Sequence, residues 1–136
     1  MDLDEARGFL QENKRAILAT HRRDGGIQMS PVLAVLDGEG RATISSREPA
    51  YKVRNLRRDP RATLCVINDR FFGAWAFVEG TADIVSLPEA MEPLIDYYRR
   101  GAGEHPDWDE YRDAMTKERR VLIRIAIEKA GPTRAG

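Results

Sequence analysis

The chain has 136 residues, with 22 Lys+Arg balanced by 22 Asp+Glu, and 42% of the residues are hydrophobic. This composition predicts one globular domain over residues 1–136, and a net charge of zero argues against general affinity for nucleic acid or anionic membranes. A single cysteine excludes an internal disulfide, and the acidic amino terminus lacks a signal-peptide pattern, so a cytoplasmic location is expected.

The first half of the chain is predicted to form one helix and three strands. A helix containing Phe9 and Leu10 opens the sequence, and Asp2 or Asp4 is placed to cap it. Strands are then predicted at residues 16–21, 27–36 and 41–46. Two turns rich in Asp and Gly, at residues 22–26 and 37–40, join these strands as hairpins.

The second half is predicted to contain three helices and three strands. Pro49 stands at the first position of a helix over residues 49–59 that Pro60 ends, and Gly80 indicates a bend or bulge in its strand. Residues 130–136 form a polar tail that is expected to be flexible. The other helices are predicted at 88–100 and 107–118, and the strands at 61–69, at 73–86 and in a closing segment where Val121, Ile123, Ile125 and Ile127 face one side. Six strands in hairpin connections, with helices inserted late, predict a mainly β (α+β) fold, an antiparallel barrel with flanking helices.

Residues that usually carry catalysis or bind metals are sparse. His21 and His105 are the only histidines, and neither has a cysteine or histidine at ligand spacing, so no metal site is expected. Cys65 lies within an apolar strand, where a buried structural thiol is favoured over a nucleophile. No catalytic side chain is therefore predicted, and any chemistry is expected to reside in a bound cofactor.

Basic residues concentrate in the segment 44–66, where six of them stand against two acidic residues. Ser45 and Ser46 precede the predicted helix, whose amino terminus would favour a phosphate, and Lys52 would flank its buried stripe. These residues indicate a phosphate site, but the pattern alone leaves an equally good alternative, a solvated helix face with Ser46 as a cap. A single-stranded nucleic-acid groove is disfavoured because Tyr51 is the only aromatic residue nearby.

Four segments carry a resemblance to a known family. They are AILATHRRDGGIQMSPV, ISSREPAYKVRNLRRDPRATLCV, AWAFVEGTADIV and YYRRGAGEHPDWDEYRDAMTKERRVLIRI. Over nearly the whole chain the sequence resembles the pyridoxamine 5'-phosphate oxidase-like split β-barrel proteins, whose fold implies a six-stranded antiparallel split β-barrel here. The last segment is especially similar to the actinobacterial flavin/deazaflavin oxidoreductases that use coenzyme F-420. The chain lacks the carboxy-terminal Arg/His substrate signature of the pyridoxamine 5'-phosphate oxidases themselves, so pyridoxal phosphate synthesis is not expected.

The resemblance implies a homodimer with two cofactor sites at the subunit interface. The cofactor ring would lie along the backbone of residues 28–32, and the partner chain's segment 72–75 would approach it. Because Ala50 stands where some relatives carry a second basic residue, phosphate binding is expected to depend on Lys52 and Arg54. The implied cofactor-binding residues are Gln28, Met29, Ser30, Pro31, Val32, Ser45, Ser46, Lys52, Arg54, Asn55, Phe72, Gly73 and Trp75.

The predicted function is hydride transfer between reduced coenzyme F-420, an 8-hydroxy-5-deazaflavin, and a conjugated organic acceptor. The phosphodiester and the polyglutamate tail of that cofactor are both anionic, and the segment 44–66 would receive them. Two alternatives stay open: an FMN-binding oxidase or reductase of the same family, and a non-catalytic flavin-binding or storage protein. The expected partners are a second copy of the chain and a small organic substrate, with neither nucleic acid nor membrane.

Overall fold

The computed structural model describes residues 1–132, which form four helices and seven strands. The helices are α1 (Leu3–Glu12), α2 (Tyr51–Arg58), α3 (Met91–Ala102) and α4 (Trp108–Lys117). The strands are β1 (Arg15–His21), β2 (Ile27–Leu33), β3 (Val35–Leu36), β4 (Ala42–Arg47), β5 (Arg61–Ile67), β6 (Trp75–Val85) and β7 (Arg120–Gly131). Within residues 1–132, no helix combines the length and apolar character needed to cross a membrane.

The strands form one antiparallel sheet in the order β2-β1-β5-β6-β7-β4-β3. Strands β2 and β3 lie at opposite edges of this sheet, yet only Ala34 separates them in the chain. The sheet must therefore curl until its two edges approach each other. Because β3 pairs only with Ala42 and Thr43, the far end of β4 faces β2 across a gap. The predicted mainly β split barrel with flanking helices is confirmed, and the gap is its split.

The strand count differs from the prediction, because the strand expected at residues 27–36 is two strands. Side chains of β2 alternate between exposed and half-buried as far as Leu33, whereas Ala34, Val35 and Leu36 are buried in succession. The Ala34 N–H donates to the Lys14 carbonyl oxygen at 2.8 Å, which extends the β1–β2 ladder by one position, and from Val35 onward the chain pairs with β4 instead. Apolar residues continue from β2 into β3, so the sequence pattern predicts one continuous strand.

The main core fills the barrel and extends under α1 and α2. The predicted inward face of β7 is confirmed, since Val121, Ile123, Ile125 and Ile127 are all buried. A second apolar cluster lies outside the barrel, where α3 and α4 pack on β7 through Leu94, Met115 and Leu122. These two helices therefore cover the outer side of the sheet beside the split.

The irregularity expected at Gly80 is confirmed, because the β6–β7 register shifts between Glu79 and Gly80. A Cβ atom at position 80 would collide with the Ala126 carbonyl oxygen. Only glycine allows the two backbones to approach this closely.

Several element ends differ from the prediction. Strand β5 ends at Ile67 and strand β6 begins at Trp75, so the connection between them is longer than expected. Helix α3 begins at Met91, not at residue 88. Residues 130 and 131 belong to β7, where they pair with Val78 and Phe77, so the predicted tail is wrong at these two positions. Its residues 133–136 lie outside the described residues.

Candidate functional site

A cavity of about 580 Å³, here called the split cavity, lies where the barrel is open. The β2 edge at residues 31–33 forms one wall, and the β4 end at residues 45–47 forms the other. Ala50 and Lys52 line it at the start of α2. Its remaining lining residues are Tyr97, Tyr98, Tyr111, Met115 and Arg120. The structure thus brings the predicted residues Pro31, Val32, Ser45, Ser46 and Lys52 together in one place.

Three cationic side chains line the split cavity. Arg47 and Arg120 stand directly opposite each other in the β4–β7 ladder. Like charges in this position destabilise a sheet unless something neutralises them. Glu118 pairs with Arg120 at 2.8 Å, but among residues 1–132 neither Arg47 nor Lys52 forms an ion pair. This excess of positive charge fits a bound anion such as a phosphate.

The Lys52 ammonium is half-buried beside the cavity. Its Nζ atom donates to Ser30 Oγ at 3.4 Å, so Ser30 borders the same region. Burial, together with the nearby Arg120 guanidinium, lowers the pKa of Lys52 below its ordinary value. A negatively charged ligand would relieve both effects, because it favours the protonated ammonium.

Tyrosine hydroxyl groups hold the helices over the split cavity. Tyr97 donates to the Leu33 carbonyl oxygen at 2.8 Å and so ties α3 to the edge of β2. Tyr111 donates to the Leu94 carbonyl oxygen at 2.9 Å and so ties α4 to α3. Burial raises the pKa of Tyr97 and raises the pKa of Tyr111 to about 12. Both phenols therefore stay protonated near neutral pH and act as donors.

The approach to α2 differs from the predicted phosphate-binding helix start. Pro49 lies in a turn closed by the Ala50 N–H, which donates to the Arg47 carbonyl oxygen at 3.1 Å. Helix α2 then begins at Tyr51, with Ala50 as a cap residue that makes no side-chain hydrogen bond. Ser46 is a buried strand residue and does not cap the helix, so that alternative role is wrong. Ala50 itself has extended backbone, so the helix cannot include Pro49 and begins one residue after Ala50.

Three predicted site residues lie in a different cavity. This cavity, here called the arginine cleft, has a volume of about 1020 Å³ and lies between the β1–β2 turn and α2. Gln28, Arg54 and Asn55 line it. The Asn55 amide is already engaged, because it donates to Thr20 Oγ1 at 3.1 Å and accepts from Arg58 at 3.2 Å. The five arginines of the cleft are Arg22, Arg23, Arg54, Arg57 and Arg58.

The remaining predicted residues lie on exposed surfaces outside the split cavity. Phe72 and Gly73 belong to the β5–β6 connection, where the Phe72 side chain is 94% exposed. Trp75 begins β6, and its side chain is 41% exposed. Met29 points away from the barrel on β2 and is 66% exposed. Large apolar side chains at such exposure are candidates for contact with another molecule.

Sequence reasoning missed several residues of the split cavity. The sequence pattern gives no role to Arg120, which begins the closing strand, or to Tyr97 and Tyr98, which fall in a predicted helix. Arg47 belongs to the basic segment 44–66, but the pattern gives it no specific role. The adjacent tyrosines offered the best available signal, because two large polar aromatics rarely both face a core. Their placement depends on how α3 packs over the split, which no local pattern encodes.

Solved structures of other proteins resemble this fold. A conserved hypothetical protein from Mycobacterium tuberculosis is 25% identical, with a TM-score of 0.78 over 96% of this chain and 82% of that one. An F420 reductase is 22% identical, with a TM-score of 0.71 over 92% of this chain and 94% of that one. The heme storage protein HutZ from Vibrio cholerae is also 22% identical with a TM-score of 0.71, over 96% of this chain and 94% of that one. The last two likenesses show a shared fold.

The sequence comparison identifies the family. The family model of pyridoxamine 5'-phosphate oxidase matches residues 3–133, which is nearly the whole chain. The antiparallel split barrel seen in the structure agrees with that match. The chain therefore belongs to the pyridoxamine 5'-phosphate oxidase family.

Proposed function

We propose that the protein is an oxidoreductase that binds coenzyme F-420 in the split cavity and transfers hydride between the reduced cofactor and a conjugated organic acceptor. The observation that carries this proposal is the convergence of Arg47, Lys52 and Arg120 on one cavity at the barrel split. Positive charge of this density suits the phosphate of a flavin-type cofactor. FMN shares that phosphate, so the same observation also supports the family alternative.

Each group of residues has a distinct part in this proposal. Lys52 and the opposed arginines neutralise the phosphate, and Ser30 and Ser45 offer hydroxyl donors beside it. Pro31 has no N–H to give to a ladder, so the β2 edge there accommodates a ligand without losing a hydrogen bond. The tyrosines above the cavity exclude water. The bound deazaflavin would supply the hydride chemistry.

The choice of coenzyme F-420 over FMN rests on the segment 97–125. This segment forms the second half of α3, all of α4 and the start of β7, and it covers the split cavity. By resemblance it is especially similar to the enzymes that use coenzyme F-420. The fold likeness to an F420 reductase agrees with this choice. The likeness to a heme storage protein keeps a non-catalytic binding role as the alternative from another class.

A homodimer is part of the proposal, because an apolar row crosses four strands on the outer side of the sheet. Pro31, Ile17, Cys65 and Phe77 are successive neighbours across β2, β1, β5 and β6. Met29 and Leu33 extend this apolar face along β2. Pro31 also lines the split cavity, so a second copy of the chain seated on the face would reach the cofactor site.

The test compares cofactor affinities of the apoprotein for FMN and for coenzyme F-420. We expect the parent protein to bind coenzyme F-420 more tightly than FMN. Lys52→Ala should weaken the binding of both ligands by roughly 10- to 100-fold, since a charge-assisted hydrogen bond contributes about 1.5–3 kcal/mol. Lys117→Ala, which removes an exposed charge from α4, is the matched control and should bind as the parent does. Tighter FMN binding would overturn the choice of cofactor, and unchanged binding by Lys52→Ala would overturn the site.

Turnover separates the enzyme from the storage protein. Reduced coenzyme F-420 is mixed with the protein and a panel of quinones and enones, and its oxidation is followed by absorbance. We expect reoxidation that depends on both protein and acceptor. Tight cofactor binding without turnover on any acceptor would favour the storage role.

A further inference from the structure

The arginine cleft is a concentration of positive charge in a protein whose net charge is zero. Five of the residues that line it are arginines, and Asp24 is the one acidic residue among them. Arg22 pairs with Asp24 at 3.2 Å, and Arg57 pairs with Glu48 at 2.8 Å. Among residues 1–132, Arg23, Arg54 and Arg58 form no ion pair. The cleft therefore keeps three uncompensated charges.

Helix stability does not account for these charges. Arg57 and Arg58 lie in the last turn of α2, where cations are favoured by the helix dipole. Arg54 lies a full turn earlier and opposes Arg58 at the i,i+4 spacing, where like charges destabilise a helix. Arg23 belongs to a different element, the β1–β2 turn. Arg54 thus brings charge to the cleft at a cost to helix stability, and Arg23 adds charge from a second element.

The two walls of the cleft are tied together. The Arg58 guanidinium donates to the His21 carbonyl oxygen at 2.7 Å, and Asn55 bonds to Thr20 from the same helix. These contacts attach α2 to the end of β1 next to the turn that carries Arg23. Basic side chains on a preformed frame bind anions with less loss of conformational entropy than mobile ones.

We propose that the arginine cleft is a second anion-binding site, which takes an extended polyanion and is separate from the split cavity. Its volume of about 1020 Å³ exceeds what a single phosphate fills, so a chain of phosphates or carboxylates is the matching chemistry. Such a chain has two possible sources: an acidic tail of the cofactor that passes over Tyr51, or an independent polyphosphate ligand. The site itself does not rest on the proposed function, because none of the three uncompensated arginines lines the split cavity.

The probe is inorganic tripolyphosphate, titrated by calorimetry at low ionic strength. We expect the double variant Arg23→Gln/Arg54→Gln to bind it at least tenfold more weakly than the parent, and binding to the parent to fall as salt is added. Neither side chain makes a hydrogen bond within residues 1–132, so the fold should be unaffected, which circular dichroism and urea unfolding check. Lys117→Gln/Lys129→Gln removes the same charge outside the cleft and is the control.

Lys52→Ala distinguishes this site from the split cavity. If the proposal holds, Lys52→Ala retains tripolyphosphate binding that Arg23→Gln/Arg54→Gln loses. If instead Lys52→Ala abolishes binding while the double variant binds as the parent does, the split cavity is the anion site and the proposal is wrong. Absence of tripolyphosphate binding to the parent, or equal weakening in the lysine control, would also overturn it.

Two further titrations assign the source of the polyanion. Coenzyme F-420 and FMN both carry a phosphate, but only the former has a polyglutamate tail. If Arg23→Gln/Arg54→Gln binds coenzyme F-420 more weakly than the parent does but binds FMN equally well, the cofactor tail is the occupant. Unchanged binding of both cofactors, with tripolyphosphate binding lost, would identify an independent polyphosphate ligand.

Discussion

At the scale of single residues, the basic segment 44–66 is not uniform. Arg57 pairs with Glu48 at 2.8 Å and bonds to Ser86, so it behaves as an ordinary surface ion pair. Lys52 is half-buried, its one side-chain hydrogen bond within residues 1–132 is to the Ser30 hydroxyl, and Arg120 lies close enough to lower its pKa. The two basic residues therefore differ: Arg57 is held in a surface ion pair, whereas Lys52 is the residue that we propose binds the cofactor phosphate.

The lowered pKa of Lys52 predicts that phosphate binding takes up a proton at alkaline pH. Between this lowered pKa and the value of an exposed lysine, about 10.4, the free protein has partly lost the proton, and a bound anion restores it. Affinity for FMN should therefore fall as the pH rises through the lowered pKa. Calorimetry in two buffers of different ionisation enthalpy measures the uptake. Lys52→Ala should abolish it, and equal heats for the parent in both buffers would contradict the prediction.

The lowered pKa of Lys52 also makes the stability of the folded protein depend on pH. Because the folded state holds the Lys52 proton less tightly than the unfolded chain, the unfolded state binds more protons in that pH interval. Lys52 therefore destabilises the folded state less as the pH rises, and the free energy of unfolding increases through this interval. Binding and stability of the free protein should move in opposite directions there, which separates the two effects.

At the scale of elements, two glycines show why position matters more than residue type. Gly80 lies at the β6–β7 bulge, where a Cβ atom would meet the Ala126 backbone. Gly8 lies on the exposed side of α1, and a Cβ atom there has no neighbouring atom within 4 Å. The first glycine is required by a close approach, whereas the second only adds backbone entropy to the unfolded chain.

The same substitution at these positions should change stability in opposite directions. Gly80→Ala should lower the free energy of unfolding by about 1–3 kcal/mol, because neither backbone has room to shift freely. Gly8→Ala should raise it by about 0.5–1 kcal/mol, since alanine is the better helix former. Urea unfolding followed by circular dichroism measures both. Stabilisation by Gly80→Ala would show that the bulge relaxes without strain.

At the scale of the whole molecule, the apolar face across β2, β1, β5 and β6 predicts a homodimer. Light scattering at micromolar concentration should give twice the chain mass of 15.4 kDa. Ile17→Lys places a charge in the middle of the face, so the variant should be monomeric and should bind cofactor more weakly. Ala126→Lys adds the same charge at an exposed position on β7 and should stay dimeric. A monomeric parent with intact cofactor binding would contradict the prediction.

Element types were predictable because each depends on local patterns. The alternation from Val121 to Ile127 marks a strand with an inward apolar face, and Gly80 marks a bulge, and both hold in the structure. The burial of Leu122 on the other face comes from α3 and α4, which the alternation does not predict. The break at Ala34 was not predictable, because apolar residues continue across it. From Val35 onward the chain pairs with β4 and no longer with β1, and this change of partner has no local signal in the sequence.

The sequence by itself determined the family, the antiparallel barrel class and the phosphate-site candidates Ser45, Ser46 and Lys52. These follow from strand periodicity, turn residues and recognisable segments, all of which are local in the chain. Helix periodicity alone puts Lys52 and Arg54 on different sides of α2, which agrees with the two cavities that they line. Only the tertiary structure decided that Arg120 joins Lys52, because residues 68 positions apart meet when β7 pairs with β4 beside α2.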